Sequence, residues 1–163
     1  MKKSNISNMT FGALIASSYI LLTLLSNVFG LANFAIQFRL SECLTVFAYL
    51  GGYPIIGLSI GCLLSNILIG ANILDIVFGT VATLIGAIGT FYIAKKNKKL
   101  IALPPILSNA LIVPIMLRYV YMVEGSYIFF FFTVLVGEIG TCGILGMLLY
   151  KSLEGKMKWI EKR

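Results

Sequence analysis

The 163-residue sequence contains no histidine and only six Asp or Glu residues. Without histidine, the chain lacks the commonest metal ligand and the commonest side chain for proton transfer near neutral pH. It also contains no Walker A sequence, no HExxH and no Ser/His combination, so neither P-loop ATP hydrolysis nor a familiar form of metal or nucleophilic catalysis is indicated. The sequence therefore does not predict an enzyme, and no cofactor or metal is expected.

Cysteine is scarce as well. Cys43, Cys62 and Cys142 lie inside apolar segments and have no CxxC spacing. A disulfide or a thiolate metal site is therefore not predicted, and we expect the three thiols to behave as small buried hydrophobic groups.

Apolar residues, by contrast, make up 59% of the chain, and the mean hydropathy is +0.97. Soluble domains are about 45–50% apolar, and the excess here comes in long runs, which are typical of membrane helices. Nothing resembles a linker, a tail or a low-complexity tract. The sequence predicts one all-α integral membrane domain over residues 1–163, in the cell membrane.

The formal net charge of +7 is confined mainly to the ends of apolar runs. The clusters are Lys2 and Lys3; Lys95, Lys96, Lys98 and Lys99; and Lys151, Lys156, Lys158, Lys162 and Arg163. Basic residues in these positions mark loops that remain cytoplasmic. The charge therefore predicts a membrane topology and no nucleic-acid partner.

The apolar runs predict six transmembrane helices, because each crossing needs about 20 apolar residues, with roughly 17–25 tolerated. The sequence Gly51-Gly52-Tyr53-Pro54 is a strong turn signal that divides one long run into two short helices. The predicted helices are residues 10–29, 39–52, 54–69, 75–94, 100–118 and 128–150.

Six crossings place both termini and the 95–99 loop in the cytoplasm, as the basic clusters require. The second and third helices are short enough to form a re-entrant hairpin, and that alternative keeps the same topology. In either case the charged residues outside the basic clusters lie at or near extracellular helix ends, except Glu138, which lies deeper.

The segment "IQFRLSECLTVF" places Arg39 and Glu42 three residues apart at the start of the second helix. Charged groups at membrane depth are costly, so they pair with one another or face a cavity. One interpretation is an ion pair within the helix, and the other is that one partner binds a polar ligand. Gln37 adds hydrogen-bonding capacity beside them and favours the ligand site.

Two further polar residues lie near the same membrane side. Asp75 opens the fourth predicted helix, where it is either an N-terminal cap or part of a ligand site. Asn66 lies near the outer end of the third helix and either binds ligand or forms a hydrogen bond between helices.

Glu138 is harder to explain structurally, because no basic residue follows it in its helix until Lys151. A buried carboxylate without a partner must protonate or find a partner. Asn109, near the middle of the fifth helix, is placed to meet it from a neighbouring helix. We predict that both belong to the ligand site.

The first helix carries two interleaved pairs of small residues, Gly12/Ala16 and Ala13/Ser17. This spacing lets another helix approach closely. The approaching helix belongs either to a partner protein or to the chain itself.

With these residues in place, the chain resembles the QueT-type substrate-binding subunits (S components) of energy-coupling factor transporters, which take up queuosine precursors. The resemblance covers nearly the whole chain in order, through "ALIASSYILLTLL", "IQFRLSECLTVF", "GCLLSNILIG", "LDIVFGTVATLIGA", "LPPILSNALIV" and "VGEIGTCGILG". The family's first helix usually reads Ala-x-x-x-Ala, whereas the second position here is Ser17.

The resemblance implies six helices with an extracellular-side pocket for a 7-deazaguanine base or its nucleoside. It also implies a membrane scaffold subunit driven by two cytoplasmic ATPases, on which the S component topples to deliver its ligand. From the chemistry of the base, a carboxylate accepts the two adjacent N–H donors of its guanine-like edge. Glu138 is preferred over Glu42, with Asn109 or Gln37 at the remaining edge and Asp75 or the other glutamate available for an amine.

A proton-coupled secondary carrier is the alternative from another class, because carboxylates inside a membrane often relay protons. No inverted repeat is visible in the six predicted helices, and this counts against that alternative. A membrane enzyme acting on lipid headgroups is a weaker alternative, because no metal or nucleophile motif is present.

Overall fold

A computed structural model describes residues 3–31 and 38–161, and within them all regular structure is helical. The elements are α1 (Lys3–Val28), a long 3₁₀ helix (Leu40–Leu50), α2 (Gly52–Leu68), α3 (Ile73–Ala94), a 3₁₀ turn (Lys98–Leu100), α4 (Leu103–Tyr119), α5 (Tyr127–Glu138), a π-helical segment (Ile139–Gly146) and α6 (Met147–Glu161). The predicted all-α class is confirmed for this part of the chain.

Four helices are long and apolar enough to cross a membrane. They are Ile6–Val28, Ile73–Ala94, Lys98–Tyr119 and Tyr127–Gly155. The last of these joins α5, the π-helical segment and the start of α6, and α6 extends it well past the predicted end at residue 150. The 3₁₀ helix and α2 are shorter apolar helices. Six complete crossings and cytoplasmic termini stay predictions.

The second helix differs in kind from its prediction, because its 11 residues form a 3₁₀ helix. Runs of this geometry longer than three or four residues are uncommon. Eight of the 11 residues are buried, since the helix packs against α1, α2, α3, α6 and the π-helical segment. Tertiary contacts on every side therefore stabilise a backbone geometry that is weak in isolation. The helix ends at Gly51, whose φ of 132° favours glycine, and this agrees with the predicted turn.

Glycine allows α1 and α2 to approach very closely. A Cβ atom at Gly57 would lie 2.3 Å from the carbonyl oxygen of Gly12, and one at Gly61 would lie 3.0 Å from that of Ala16. Gly12 and Ala16 therefore contact a helix of the same chain. Close backbone approach through small residues is the usual way in which membrane helices associate.

Small residues also line one face of the α3 helix. Its buried residues are all small or hydroxylated: Gly79, Ala82, Thr83, Gly86, Ala87, Thr90 and Ala94. Large apolar residues such as Val77 and Ile85 are exposed on the other face. The small face lets α4 pack tightly, since a Cβ at Gly86 would lie 2.7 Å from the Cα of Pro105. It also leaves room for polar side chains between the helices.

Candidate functional site

Arg39 lies immediately before the 3₁₀ helix and reaches across to α2. Its Nη2 donates a hydrogen bond of 2.6 Å to Oδ1 of Asn66. Asn66 is fully buried, and its Nδ2 lies 3.6 Å from the sulfur of Cys62. The guanidinium is thus directed to Asn66, and the predicted ion pair between Arg39 and Glu42 within one helix is wrong. Arg39 lies just outside the 3₁₀ helix in extended backbone, and its side chain reaches α2, whereas Glu42 contacts α1 and α3.

The absence of a side chain at Gly79 of α3 makes room for this group. A Cβ at Gly79 would lie 3.2 Å from Nδ2 of Asn66, 3.8 Å from Nη1 of Arg39 and 3.8 Å from Oδ1 of Asp75. Three predicted site residues therefore converge on one position of α3. We call Arg39, Asn66, Asp75, Gly79 and Tyr121 the arginine cluster.

Asp75 does not cap α3. The cap is Asn72, whose side chain accepts a hydrogen bond from the backbone N–H of Leu74. Asp75 instead accepts a 2.9 Å hydrogen bond from the hydroxyl of Tyr121, which lies in the connection between α4 and α5. Partial burial raises the pKa of Tyr121, and the Asp75 carboxylate beside it raises that pKa further. The capping interpretation is therefore wrong, and Asp75 is free to contribute to a site.

Glu42 is fully buried in the centre of the molecule. Its Oε1 accepts a hydrogen bond from the hydroxyl of Tyr19 in α1 and lies 3.3 Å from the hydroxyl of Thr83 in α3. Its Oε2 is buried and has no hydrogen-bond partner among the residues that the structure describes. An unpaired buried acceptor carries a desolvation penalty of about 1–3 kcal/mol, and more when it is charged. This oxygen is therefore an open acceptor.

Glu138 and Asn109 meet as predicted. The amide Nδ2 of Asn109 in α4 donates a 3.0 Å hydrogen bond to Oε1 of Glu138, and both side chains are buried. The π-helical segment starts immediately after Glu138, and π-helical turns inside longer helices are frequent at functional sites.

Cys142 connects the two glutamates. Its sulfur lies 3.2 Å from Oε2 of Glu138 and 3.3 Å from the backbone oxygen of Glu42. One carboxyl oxygen of Glu42, one of Glu138 and the sulfur of Cys142 all lie within 4.8 Å of one another. Hydrogen bonds through the thiol account for this proximity. We call Tyr19, Glu42, Thr83, Asn109, Glu138 and Cys142 the glutamate cluster.

The two clusters adjoin each other through Cys62. Its sulfur lies 3.4 Å from the Thr83 hydroxyl and 3.6 Å from the Asn66 amide. Five of the seven predicted ligand residues therefore belong to one chain of polar contacts, namely Arg39, Glu42, Asn66, Asn109 and Glu138. Asp75 lies near Gly79 and contacts Tyr121. The seventh, Gln37, lies outside the described residues.

Several residues of the two clusters and of this polar chain were not predicted, namely Tyr19, Cys62, Thr83, Tyr121 and Cys142. Each has an apolar or weakly polar side chain in an apolar run, which is unremarkable in a membrane helix. Cys142 had a usable signal, because it follows Glu138 by four residues and so shares its helix face. No sequence signal identified Tyr19 or Thr83, because only the packing of α1 and α3 around the 3₁₀ helix brings them to Glu42.

The four predicted docking residues of α1 separate into two pairs. Gly12 is buried against α2 and Ala16 is half-buried beside Gly61, whereas Ala13 and Ser17 are exposed. Gly12 therefore has to be removed from the predicted docking face, because the chain's own α2 covers it.

The arrangement offers an unpaired buried acceptor to a hydrogen-bond donor. Two buried carboxyl groups lie together in the glutamate cluster, while the guanidinium of Arg39 is directed to Asn66. A ligand that brings N–H groups to Oε2 of Glu42 would satisfy the open acceptor.

Comparison with known proteins gives a family. A family model described as "QueT transporter" matches residues 9–155. The chain is also 34% identical over 85 residues to the "Queuosine precursor transporter QueT" of Lactococcus lactis subsp. cremoris (strain MG1363). That alignment covers 52% of this chain and 50% of the relative, so the chain spans about half the length of the curated relative it matches. No solved structure matches the chain.

Proposed function

Because the chain belongs to the QueT transporter family, we propose that it is the substrate-binding membrane subunit of an ATP-driven importer of the energy-coupling factor type. We further propose that its substrate is a queuosine precursor, a 7-deazaguanine base or the nucleoside, as the name of the Lactococcus relative suggests. The observation that carries the proposal is the continuous chain of polar contacts that leads from the Arg39 guanidinium through Asn66, Cys62 and Thr83 to the two buried glutamates.

The glutamate cluster suits the guanine-like edge of a 7-deazaguanine. That edge presents two adjacent N–H donors beside a carbonyl acceptor, and an ionised carboxylate accepts such a pair of donors. The open Oε2 of Glu42 supports Glu42 in this role. Glu138, which the sequence favoured, already accepts from Asn109, so we assign it to the neighbouring carbonyl edge together with Asn109.

The arginine cluster suits the opposite end of the ligand. Asp75 neutralises an amine where the precursor carries one, and Arg39 fixes the side chain of Asn66 by its hydrogen bond. Phe38 lies against the backbone of the π-helical segment, since a Cβ at Gly140 would be 2.6 Å from its ring. This aromatic ring, beside a position two residues after Glu138, is a candidate to stack on a planar base.

The energy source in this proposal is a partner complex. A membrane scaffold subunit with two cytoplasmic ATPases binds the S component and drives delivery of the ligand by toppling. The exposed residues Ala13 and Ser17 are the remaining candidates on α1 for close contact with the scaffold. A small contact face of this kind leaves the inner surface of α1 packed on α2.

Binding to the purified chain is the direct test of the substrate. Isothermal titration calorimetry with 7-deazaguanine, its 7-aminomethyl and 7-cyano derivatives and their nucleosides should give saturable heat for at least one of them. Guanine is the matched control, because it differs from 7-deazaguanine only in having nitrogen in place of carbon at position 7. Absence of binding to every deazaguanine would remove the substrate from the proposal.

Uptake distinguishes the importer from a secondary carrier. Vesicles that contain this chain together with its scaffold and ATPases should accumulate radiolabelled ligand only when ATP is supplied on the side of the ATPases. Vesicles with the chain alone should not accumulate it under an imposed proton gradient. Accumulation in the second case would replace the ATP-driven importer with a proton-coupled carrier.

A further inference from the structure

We infer that the connection between α3 and α4 binds the headgroup of an anionic phospholipid in the bilayer leaflet at that end of the protein. The connection contains Lys95, Lys96, Lys98 and Lys99, and we call these four residues the lysine loop. The inference goes beyond the proposed function and does not depend on the proposed substrate. It rests on where the loop lies, on how its ammonium groups are held and on the apolar surface that leads to it.

The lysine loop lies at a membrane surface. It joins the helices Ile73–Ala94 and Lys98–Tyr119, both of which are long and apolar enough to cross a membrane. A short connection between two such helices has to lie where the hydrocarbon core ends, which is the depth of the lipid phosphate groups. Lys95, Lys96 and Lys99 are exposed there.

The backbone of the loop is held by hydrogen bonds. The N–H groups of Lys96 and Asn97 donate to the carbonyl oxygen of Ile93, at 3.0 and 2.8 Å, and these bonds close the end of α3. The side chain of Asn97 accepts a 3.0 Å hydrogen bond from the N–H of Lys99, which starts the 3₁₀ turn. The lysines therefore extend from an ordered turn, and less conformational entropy is lost when they bind a ligand.

Aromatic rings hold two of the ammonium groups in place. Nζ of Lys95 lies 4.3 Å from the centre of the Phe91 ring and 5.3 Å from that of Tyr92. Nζ of Lys98 lies 5.5 Å from the centre of the Tyr49 ring. A contact of this kind directs an ammonium group without neutralising its charge. The positive charge of the loop is therefore both positioned and retained.

Positive charge exceeds negative charge at this end of the protein. Tyr49 packs edge-on against Tyr150 of α6, with ring centres 5.4 Å apart, so the exposed Lys151 belongs to the same end. Among the side chains that the structure describes, Glu154 is the carboxylate at this end, and its Oε1 accepts a 2.9 Å hydrogen bond from the Tyr150 hydroxyl. An excess of lysine at a membrane surface attracts anionic lipids.

An apolar stripe leads from the bilayer core to the loop. Ile85, Ile88 and Tyr92 are exposed along α3, and Lys95 follows Tyr92 by three residues. Residues at these spacings share one face of a helix. Apolar side chains at the depth of the acyl chains and an ammonium group at the depth of the phosphate match the two parts of a phospholipid. An acidic segment of a partner protein would match the charge but not the stripe.

The opposite end of the same two helices is mixed in charge. Asp75 lies in the first turn of α3, and Arg118 lies in the last turn of α4. Arg118 is exposed, and its guanidinium carbon lies 5.4 Å from the centre of the Tyr119 ring. It therefore matches Lys95 as a cation beside an aromatic ring at the end of a long apolar helix, but it has no other basic residue nearby in the sequence. This makes Arg118 the control for the tests below.

Native mass spectrometry of the detergent-purified chain tests the inference with phosphatidylglycerol and phosphatidylcholine that have identical acyl chains. The Kd of the first bound lipid should be about tenfold or more lower for phosphatidylglycerol, because each lysine adds to the attraction. In the triple variant Lys95→Gln, Lys96→Gln and Lys99→Gln, the two Kd values should lie within about threefold of each other. Arg118→Gln should keep the wild-type preference. Equal Kd values for the wild type, or an unchanged preference in the triple variant, would overturn the inference.

Salt provides a second test that needs no variant and therefore does not depend on folding of the triple variant. Raising the ammonium acetate concentration from about 0.1 M to about 1 M shortens the Debye length from about 10 Å to about 3 Å. The preference of the wild type for phosphatidylglycerol should decrease accordingly. A preference that does not change with salt would overturn an electrostatic headgroup site.

The water-soluble headgroup separates a lipid from other sources of negative charge. Glycerophosphoglycerol carries the phosphate of phosphatidylglycerol without its acyl chains. A large excess of it should not displace the bound lipid, because the apolar stripe of α3 contributes to lipid binding. Displacement would show that the lysines bind any phosphate or acidic segment and would overturn the assignment to a lipid.

Discussion

The arginine cluster and the glutamate cluster differ in how their charges are balanced. In the arginine cluster, the Arg39 guanidinium donates to the amide oxygen of Asn66, and the Tyr121 hydroxyl donates to the Asp75 carboxylate. In the glutamate cluster, two carboxyl groups lie together, and their side-chain partners are a phenol, hydroxyl groups, an amide and a thiol, all of which are neutral groups. Both charged groups of the first cluster have a hydrogen-bond partner, whereas one buried oxygen of the second has no donor among the residues that the structure describes.

This difference suggests that one cluster stabilises the fold and the other binds the ligand. A balanced group of charges fixes helices relative to one another, and removing one partner weakens the fold. An unbalanced group is costly to maintain in an apolar interior, and it gains most when a ligand supplies the missing hydrogen bonds. We therefore expect variants of the arginine cluster to act mainly on stability, and Glu42 to act mainly on ligand binding.

The largest effect on stability is expected for Arg39→Met. A hydrogen bond to a charged group contributes about 1.5–3 kcal/mol, and the buried oxygen of Asn66 would lose its donor, so the free energy of unfolding should fall by about 3 kcal/mol. Denaturant titration in detergent micelles measures this change. The control is Arg118→Met, an exposed arginine whose loss should change the free energy by less than about 0.5 kcal/mol. Equal effects of the two variants would show that Arg39 has no special role.

Asn109→Leu should lower the free energy of unfolding by about 2 kcal/mol, because a buried oxygen of Glu138 would lose its donor. The double variant Asn109→Leu with Glu138→Met removes both partners, and its loss should be smaller than the sum of the two single losses. The same titration applied to the four proteins gives the coupling energy. Strictly additive losses would contradict a hydrogen-bonded pair.

Gly79→Ala should lower the free energy of unfolding by about 1 kcal/mol, since the new Cβ would lie 3.2 Å from Nδ2 of Asn66. Gly52→Ala is the matched control, because nothing lies within 4 Å of a Cβ there. That control should be neutral or stabilising by up to about 1 kcal/mol. A loss of equal size in the control would mean that glycine matters for the backbone and not for space.

The smallest effect is expected for Tyr121→Phe, which removes the hydroxyl that donates to Asp75. Tyr121 is exposed, so water replaces the lost hydrogen bond, and the free energy of unfolding should fall by less than about 1 kcal/mol. Tyr92→Phe, another exposed tyrosine, is the control for the loss of a phenol. If Tyr121→Phe lowered the free energy of unfolding by several kcal/mol and Tyr92→Phe did not, the hydroxyl of Tyr121 would be a major stabilising group of the arginine cluster.

Sequence reasoning identified most of the polar chain because charge is rare in apolar runs and is therefore informative there. Arg39, Glu42, Asp75 and Glu138 stood out for this reason, and Asn109 was placed correctly beside Glu138. It failed where the partner has an unremarkable side chain, as with Tyr19, Thr83 and Cys142. It left open an ion pair between Arg39 and Glu42 and a capping role for Asp75, because spacing along one helix says nothing about partners on another.

The sequence by itself determined the helical class, the membrane environment and the few ionisable residues that had to be explained inside it, because long apolar runs leave the backbone little choice but to form helices in lipid. Tertiary structure alone decided which oxygens of the two buried glutamates have donors, and that Oε2 of Glu42 has none among the described residues. It also decided that Gly12 faces α2 and that residues 40–50 form a 3₁₀ helix, since both follow from how closely neighbouring helices approach. Such approach depends on small residues in different segments of the chain, and no single segment contains that information.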